Sequence, residues 1–197
     1  FAYDTLQRLT SETMAGLYTK SYTYRDISST RTTTQIASES YTGLCSGWLN
    51  RTASYTYDAM GNIATIMGPY KNKKSVKRTY AYDAQNQLLS ETIGSDTTSY
   101  TYDTAGNIRS ITGPGVSKSF SYDDTGDWKD LLTSVTVNGT TRSITYEEEN
   151  GVTIGNPLSY FNGTQYTLAW QNGRQLASLS GGGKSATYTY GADVDPR

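Results

Sequence analysis

Bulky side chains recur in pairs two residues apart along this chain, and most pairs are followed at once by an acidic or amide residue. The second members are Tyr3, Tyr24, Tyr57, Tyr82, Tyr102, Tyr122, Tyr146, Trp170 and Tyr190, spaced 20 to 33 residues apart. The first members are Phe1, Tyr22, Tyr55, Tyr80, Tyr100, Phe120, Ile144, Leu168 and Tyr188. Residues two apart in a strand share a face, so each pair predicts a strand that turns a bulky side one way. The segment YTYDAMGNIATI from Tyr55 nearly returns as YTYDTAGNIRSI from Tyr100. Self-similarity at such a period is the mark of a repeat architecture.

After the anchor aromatic comes Asp4, Asp58, Asp83, Asp103 or Asp123, weakened to Glu147 and Gln171 in later units. Three residues further stands Gly61, Gly106 or Gly126, with Asn86 and Asn150 as substitutes. Asp at the first and Gly at the fourth position suit a type I turn, because the carboxylate accepts from nearby backbone and Gly takes positive φ freely. In a hairpin this predicts a tight turn with a bulge. The return segments carry Leu9, Ile63 with Ile66, Leu88, Ile108 with Ile111, Leu131 with Leu132, and Leu176 with Leu179. A spacing of three also fits a helix, but these segments are short and rich in Ser and Thr. Strands with a bulge, or with two half-buried faces, are expected.

Gly68-Pro69, Gly113-Pro114-Gly115, Asn138-Gly139 and Asn162-Gly163 mark the second turn of successive units. The segment near 27–54 reads as inserted or irregular, although RTTTQIASESYTG from Arg31 is strand-competent and Trp48 and Leu49 should pack down. Gly181-Gly182-Gly183 reads as a flexible tip. The chain opens inside a unit at Phe1 and closes on Tyr188-Thr189-Tyr190, which suggests a piece of something longer.

At 197 residues the chain is long enough to bury a sizeable core. Its 18 Tyr against 3 Phe and 3 Trp, with abundant Thr and Ser, suit a pleated, half-buried surface. There is no His, and Cys45 is the only cysteine, which removes the usual catalytic triads, zinc clusters and an internal disulfide. Cys45 reads as a small filler. Calcium would need several oxygens converging on one ion, and one Asp per hairpin does not supply them. No metal or cofactor is expected, and no carboxylate pair stands out as an acid and base, so the chain reads as no enzyme. A net charge of −1 disfavours nucleic acid. No long apolar run predicts a membrane span, and no leader pattern opens the chain. KNKKSVKR, Lys71 to Arg78, reads as a solvated loop guarding an edge, and Glu147 to Glu149 as a surface turn.

YTYDAMGNIATI, YAYDAQNQLLSET and YTYDTAGNIRSIT resemble the YD or RHS repeat of bacterial Rhs toxins, wall-associated proteins, the insecticidal toxin-complex shell and teneurins. The resemblance runs along essentially all of residues 1–197, as one region of about nine units. Its motif positions are Tyr3, Asp4, Tyr57, Asp58, Gly61, Tyr82, Asp83, Tyr102, Asp103, Gly106, Tyr122, Asp123 and Gly126. It implies an all-β fold of consecutive antiparallel hairpins in a curved, spiralling sheet, a segment of a hollow shell that in bacterial members encloses a C-terminal toxin. It further implies a secreted or surface-displayed bacterial protein whose partners are flanking repeats and a cargo domain. Arg25-Asp26 departs from the motif after Tyr24, and DDTGDWKDLL lengthens the turn at Asp123. The family's self-cleaving core segment has no counterpart here. Two expectations stand beside the shell: the tyrosines could stack on cell-surface glycans, and an isolated strip should self-associate through unpaired edges.

Overall fold

The computed structural model describes residues 1–43, 51–71, 73–123 and 128–191, with the side chains at 73 and 74 excepted. Cys45, Trp48, Leu49 and Gly126 lie outside the described residues. Among the described residues every regular element is a strand. The protein is all-β, a succession of antiparallel hairpins.

It forms two compact units, Phe1–Ser99 and Tyr100–Arg197. The first holds β1 (Ala2–Tyr3), β2 (Leu9–Met14), β3 (Tyr18–Ser28), β4 (Arg31–Gly43), β5 (Arg51–Tyr57), β6 (Ile63–Tyr70), β7 (Lys73–Tyr82), β8 (Leu88–Ile93) and the start of β9 (Asp96–Tyr102). The second continues β9 into β10 (Ile108–Gly113), β11 (Val116–Tyr122), β12 (Leu132–Val137) and β13 (Thr140–Ser143). Strands β1 to β13 pair in chain order as one open sheet. The second unit adds the hairpin of β14 (Tyr146–Glu149) and β15 (Val152–Pro157). A four-stranded sheet of β16 (Ser159–Phe161), β17 (Gln165–Gln171), β18 (Gln175–Gly181) and β19 (Lys184–Thr187) follows.

The spacing of three on the return strands has a simple cause. Tyr55 lies opposite Ile66 and Tyr57 opposite Ile63, with a register shift between Thr56 and Tyr57. Two residues on one strand therefore face three on the other, and the bulge keeps all four side chains on one face. The same shift recurs at Tyr82, Tyr122 and Trp170. On the opposite face hydroxyls pair across strands: Thr13 with Thr19 at 3.0 Å, Thr56 with Thr65 at 2.7 Å, and Thr92 with Thr97 at 2.9 Å. In the second unit Thr101 pairs with Ser110 at 2.6 Å and Thr136 with Thr141 at 2.8 Å. Such pairs let a water-facing side add to sheet stability.

Gly68-Pro69, read from sequence as a turn, lies inside β6. RTTTQIASESYTG is the strand its residues suggested. The segment near 27–54 is largely regular: the end of β3, the 13-residue β4 and the start of β5 occupy it, and 44–50 lies outside the described residues. Its Thr, Ile and Ser positions supply the strand propensity. Two further expectations change. KNKKSVKR is mostly strand, since β7 begins at Lys73, and the alternation that puts Val76 and Arg78 on the tyrosine face turns Lys77 to the other. Glu147 to Glu149 belong to β14, and the turn falls on Asn150 and Gly151 with φ of 52° and 76°. Positive φ at both positions is what a two-residue hairpin turn requires.

The core is also smaller than length alone suggests. Among the described residues the buried apolar side chains are Val135, Val137, Ile144 and Phe161, all in the second unit. Phe120, Leu132 and Tyr146 pack around them. Among the described residues of the first unit the sheet has no second layer to press against, so its Tyr and Ile side chains remain half-buried.

Candidate functional site

The repeated motif begins with the turn. Asp58 Oδ1 accepts from the N–H groups of Met60 at 2.9 Å and Asn62 at 2.8 Å. Gly61 N–H donates to the Asp58 carbonyl at 3.3 Å, and Asp58 N–H donates to Asn62 at 2.9 Å. Asp103 repeats this with Ala105, Gly106 and Asn107, and Asp83 with Gln85, Asn86 and Gln87. Asp4 does so with Leu6, Gln7 and Arg8. The fourth position takes φ of 93° at Gly61, 90° at Gly106, 64° at Asn86 and 62° at Gln7. Gln7 is a position turn propensity does not flag. Asp123 begins a longer loop: its N–H donates to Leu131, eight residues on, rather than four, and 124–127 lies outside the described residues.

Replacing Gly61 or Gly106 by Val should lower stability by roughly 1 kcal/mol or more, since a β-branched residue is strained at positive φ. Urea denaturation of each variant checks this.

The carboxylates of Asp4, Asp58 and Asp103 are held below the usual range. At Asp4 the Arg8 N–H is the largest influence. At Asp58 and Asp103 burial acts upward but is outweighed by hydrogen bonds from Asn62 and Asn107 and their neighbours. A depressed folded value means stability that is complete above the ordinary carboxylate value near 3.8 and is lost as pH falls through the folded one. Thermal midpoints should therefore drop on acidification below about pH 4, and Asp103→Asn should make that drop shallower.

The anchor aromatics connect one unit to the one before. Tyr24 OH donates to the Leu9 carbonyl at 2.7 Å, Tyr57 OH to Ile36 at 2.8 Å and Tyr82 OH to Ile63 at 3.1 Å. In the second unit Tyr122 OH donates to Ile108 at 3.1 Å, Tyr146 OH to Leu132 at 2.8 Å and Tyr190 OH to Leu176 at 3.0 Å. Trp170 does the same through Nε1 to Pro157 at 2.7 Å. Leu9, Ile36, Ile63, Leu132, Pro157 and Leu176 each lie opposite the anchor aromatic of the preceding unit, beside its register shift. Tyr102 is half-buried in β9, and Tyr3 is 59% exposed.

That arrangement meets an independent finding: residues 50–131 match the family model of the teneurin YD-shell. Over those residues the chain is similar to YD/RHS repeats. No curated protein matches the chain. Among solved structures, the Photorhabdus luminescens Tc holotoxin pore, in a mutant form, has a chain of 15% identity and TM-score 0.49. The match covers 87% of this chain and 11% of that one, so the present chain spans about a tenth of it.

Within the YD repeats two features escape a reading of the motif alone. Asn62 and Asn107, directly after the turn glycines, donate through Nδ2 to Asp58 and Asp103 at 3.1 and 3.2 Å. The recurrence of Gly-Asn is the signal that could have found them. The second feature is a buried-edge polar network on the tyrosine face. Where other YD repeats place Ile66, Ile111, Val135 or Leu179, three units place Glu12, Glu39 and Glu91. Tyr55 OH donates to Glu39 at 3.0 Å, and Tyr22 OH to Glu12 at 3.4 Å. Burial first, then Glu39, pushes the Tyr55 phenol up to about 12. Lys20 Nζ sits 3.2 Å from Glu39 and within 5.0 Å of the Tyr22 and Tyr41 rings. Hydrogen bonds with Tyr41 and Tyr22, and then Glu39, hold its pKa well above the ordinary range. A lysine so held is a fixed cation and no nucleophile.

Among the described residues no three of Cys, Asp or Glu gather as metal ligands, and no helix is long and apolar enough to cross a membrane. What the geometry shows is a set of hydrogen bonds that join successive units. Tyr57→Phe should cost about 1 kcal/mol, the net worth of one hydrogen bond, with an unchanged denaturant slope in urea unfolding.

Proposed function

We propose that this chain is a strip of wall in a larger β-sheet shell, and that its work is mechanical. It encloses or displays a cargo domain by shape and by exclusion of solvent. One observation carries the reading: the polar end of nearly every anchor aromatic is engaged by the backbone of the unit before it. Units joined in this way are stable as neighbours rather than alone, whereas a lone hairpin is marginal in water. The half-exposed tyrosine face of the first unit adds support, because an apolar face of that extent calls for contents or cover. The cargo we infer is a C-terminal toxin domain of a secreted or surface-displayed bacterial protein, with flanking repeats as the partners along the sheet. Motif residues Tyr57, Asp58, Gly61, Tyr82, Asp83, Tyr102, Asp103, Gly106, Tyr122 and Asp123 are structural in this reading, and catalysis has no part in it. A glycan-binding role would need ring faces and free hydroxyls; the engaged hydroxyls favour the wall.

The test uses the natural polypeptide that contains this strip. The cargo should resist limited proteolysis, and pairing Tyr57→Ala with Tyr82→Ala should expose it. Equal cleavage with and without intact repeats would overturn enclosure. Saturable binding to a glycan panel, lost on tyrosine substitution, would favour the alternative.

A further inference from the structure

The second unit contains a partly open cavity of about 400 Å³ on the tyrosine side of β10 to β12, bordered by β14 to β17. That volume falls in the range of roughly 300–1,000 Å³ typical of small-molecule sites. Its walls are mainly apolar and aromatic, with Phe120, Tyr146, Phe161 and Trp170 among the lining residues. A single charged group lines it, Lys118, and no carboxylate does. Lys118 is half-buried in β11, and among the described residues its ammonium has no ion-pair partner, unlike Lys20, which is paired with Glu39. A second cation adds to the field nearby, since the Arg142 guanidinium lies 5.7 Å from the centre of the Phe161 ring. A half-buried cation beside apolar walls, without a counter-charge, offers an anion a charge-assisted contact.

We propose that this cavity binds an amphipathic monoanion, a medium-chain aliphatic carboxylate, with its head at Lys118 Nζ and its chain among Phe120, Phe161 and Trp170. The apolar walls provide burial, and the lone ammonium selects the sign of the head group. An alcohol of the same length keeps the burial and loses the charge. An alkylamine keeps the burial and meets a like charge. This site is separate from the inter-unit connectors and does not depend on the shell reading.

Calorimetric titration of this chain with decanoate, decanol and decylamine tests the assignment. Decanoate should bind saturably and about tenfold or more tightly than decanol, and decylamine most weakly. Lys118→Met, which keeps the aliphatic stem, should bring decanoate down to the level of decanol while leaving the thermal midpoint close to wild type. In heteronuclear spectra the Trp170 indole signal should shift with decanoate, and that of Trp128, outside the cavity lining, should not. Absence of saturable decanoate binding, equal affinity for decanoate and decanol, or a shift at Trp128 alone would each overturn the proposal. Should Lys118→Met fail to fold, the ligand series and indole shifts on the wild-type chain decide it.

Discussion

Gly181→Ala should lower the unfolding free energy by about 2–3 kcal/mol, near the upper end of what overpacking commonly costs. At the close of β18 a Cβ on residue 181 would overlap the Gln165 carbonyl oxygen and stand 2.8 Å from Tyr166 Cα. Both obstacles are backbone of β17, directly across the ladder, where Gly181 pairs with Tyr166. A side chain can swing aside, but a paired strand moves only by breaking its hydrogen bonds. Gly183→Ala provides the control. Residue 183 has φ of 73° and open space where a methyl would stand, so its cost is conformational strain alone, about 1 kcal/mol. Urea denaturation should rank Gly181→Ala well above Gly183→Ala. Equal losses would mean that the close approach of β17 and β18 relaxes at little cost.

The hairpin succession is legible because its signals are local. A Tyr-x-Tyr pair, an Asp and a Gly three residues later lie within seven positions, and alternation, turn chemistry and bulge all act over that range. The spacing of three at Ile63 and Ile66 leaves strand and helix both open until the register across Thr56 and Tyr57 explains it. What stays hidden depends on partners far away in sequence. The bond from Tyr57 OH to Ile36 spans 21 residues, and no local rule foresees it.

Glu39 and Glu91 are detectable by aligning return strands rather than outgoing ones, since each stands three residues after Ile36 or Leu88, where sister units carry Ile. KNKKSVKR misleads for a different reason. Charge suggests solvent and hence a loop, yet strand residues on an exposed face tolerate charge freely, and the turn needs only the residues before Lys73. The cavity is invisible in sequence because it is assembled from β10 to β12 together with β14 to β17, and composition does not say which strands will meet.

Phe161→Ala should be among the most damaging single side-chain truncations, costing roughly 3–5 kcal/mol. Phe161 is 4% exposed in a four-residue cluster with Val135, Val137 and Ile144. Truncation removes the ring from the only buried apolar cluster among the described residues and widens the adjoining cavity, so transfer and cavity terms act together. In the first unit, Ile66→Ala removes a half-buried side chain from a face without a second layer, and its cost should stay below about 2 kcal/mol because less area is withdrawn from water. The difference also predicts where the chain opens. Repeat arrays transmit stability chiefly between neighbours, so the loss in Phe161→Ala should concentrate in Tyr100–Arg197. Native-state hydrogen exchange should then show faster exchange at β12 and β17, while protection at β6 and β7 stays near wild type. Uniform loss of protection through both units would show that they unfold as one cooperative body, with the cluster around Phe161 supporting strands it does not touch.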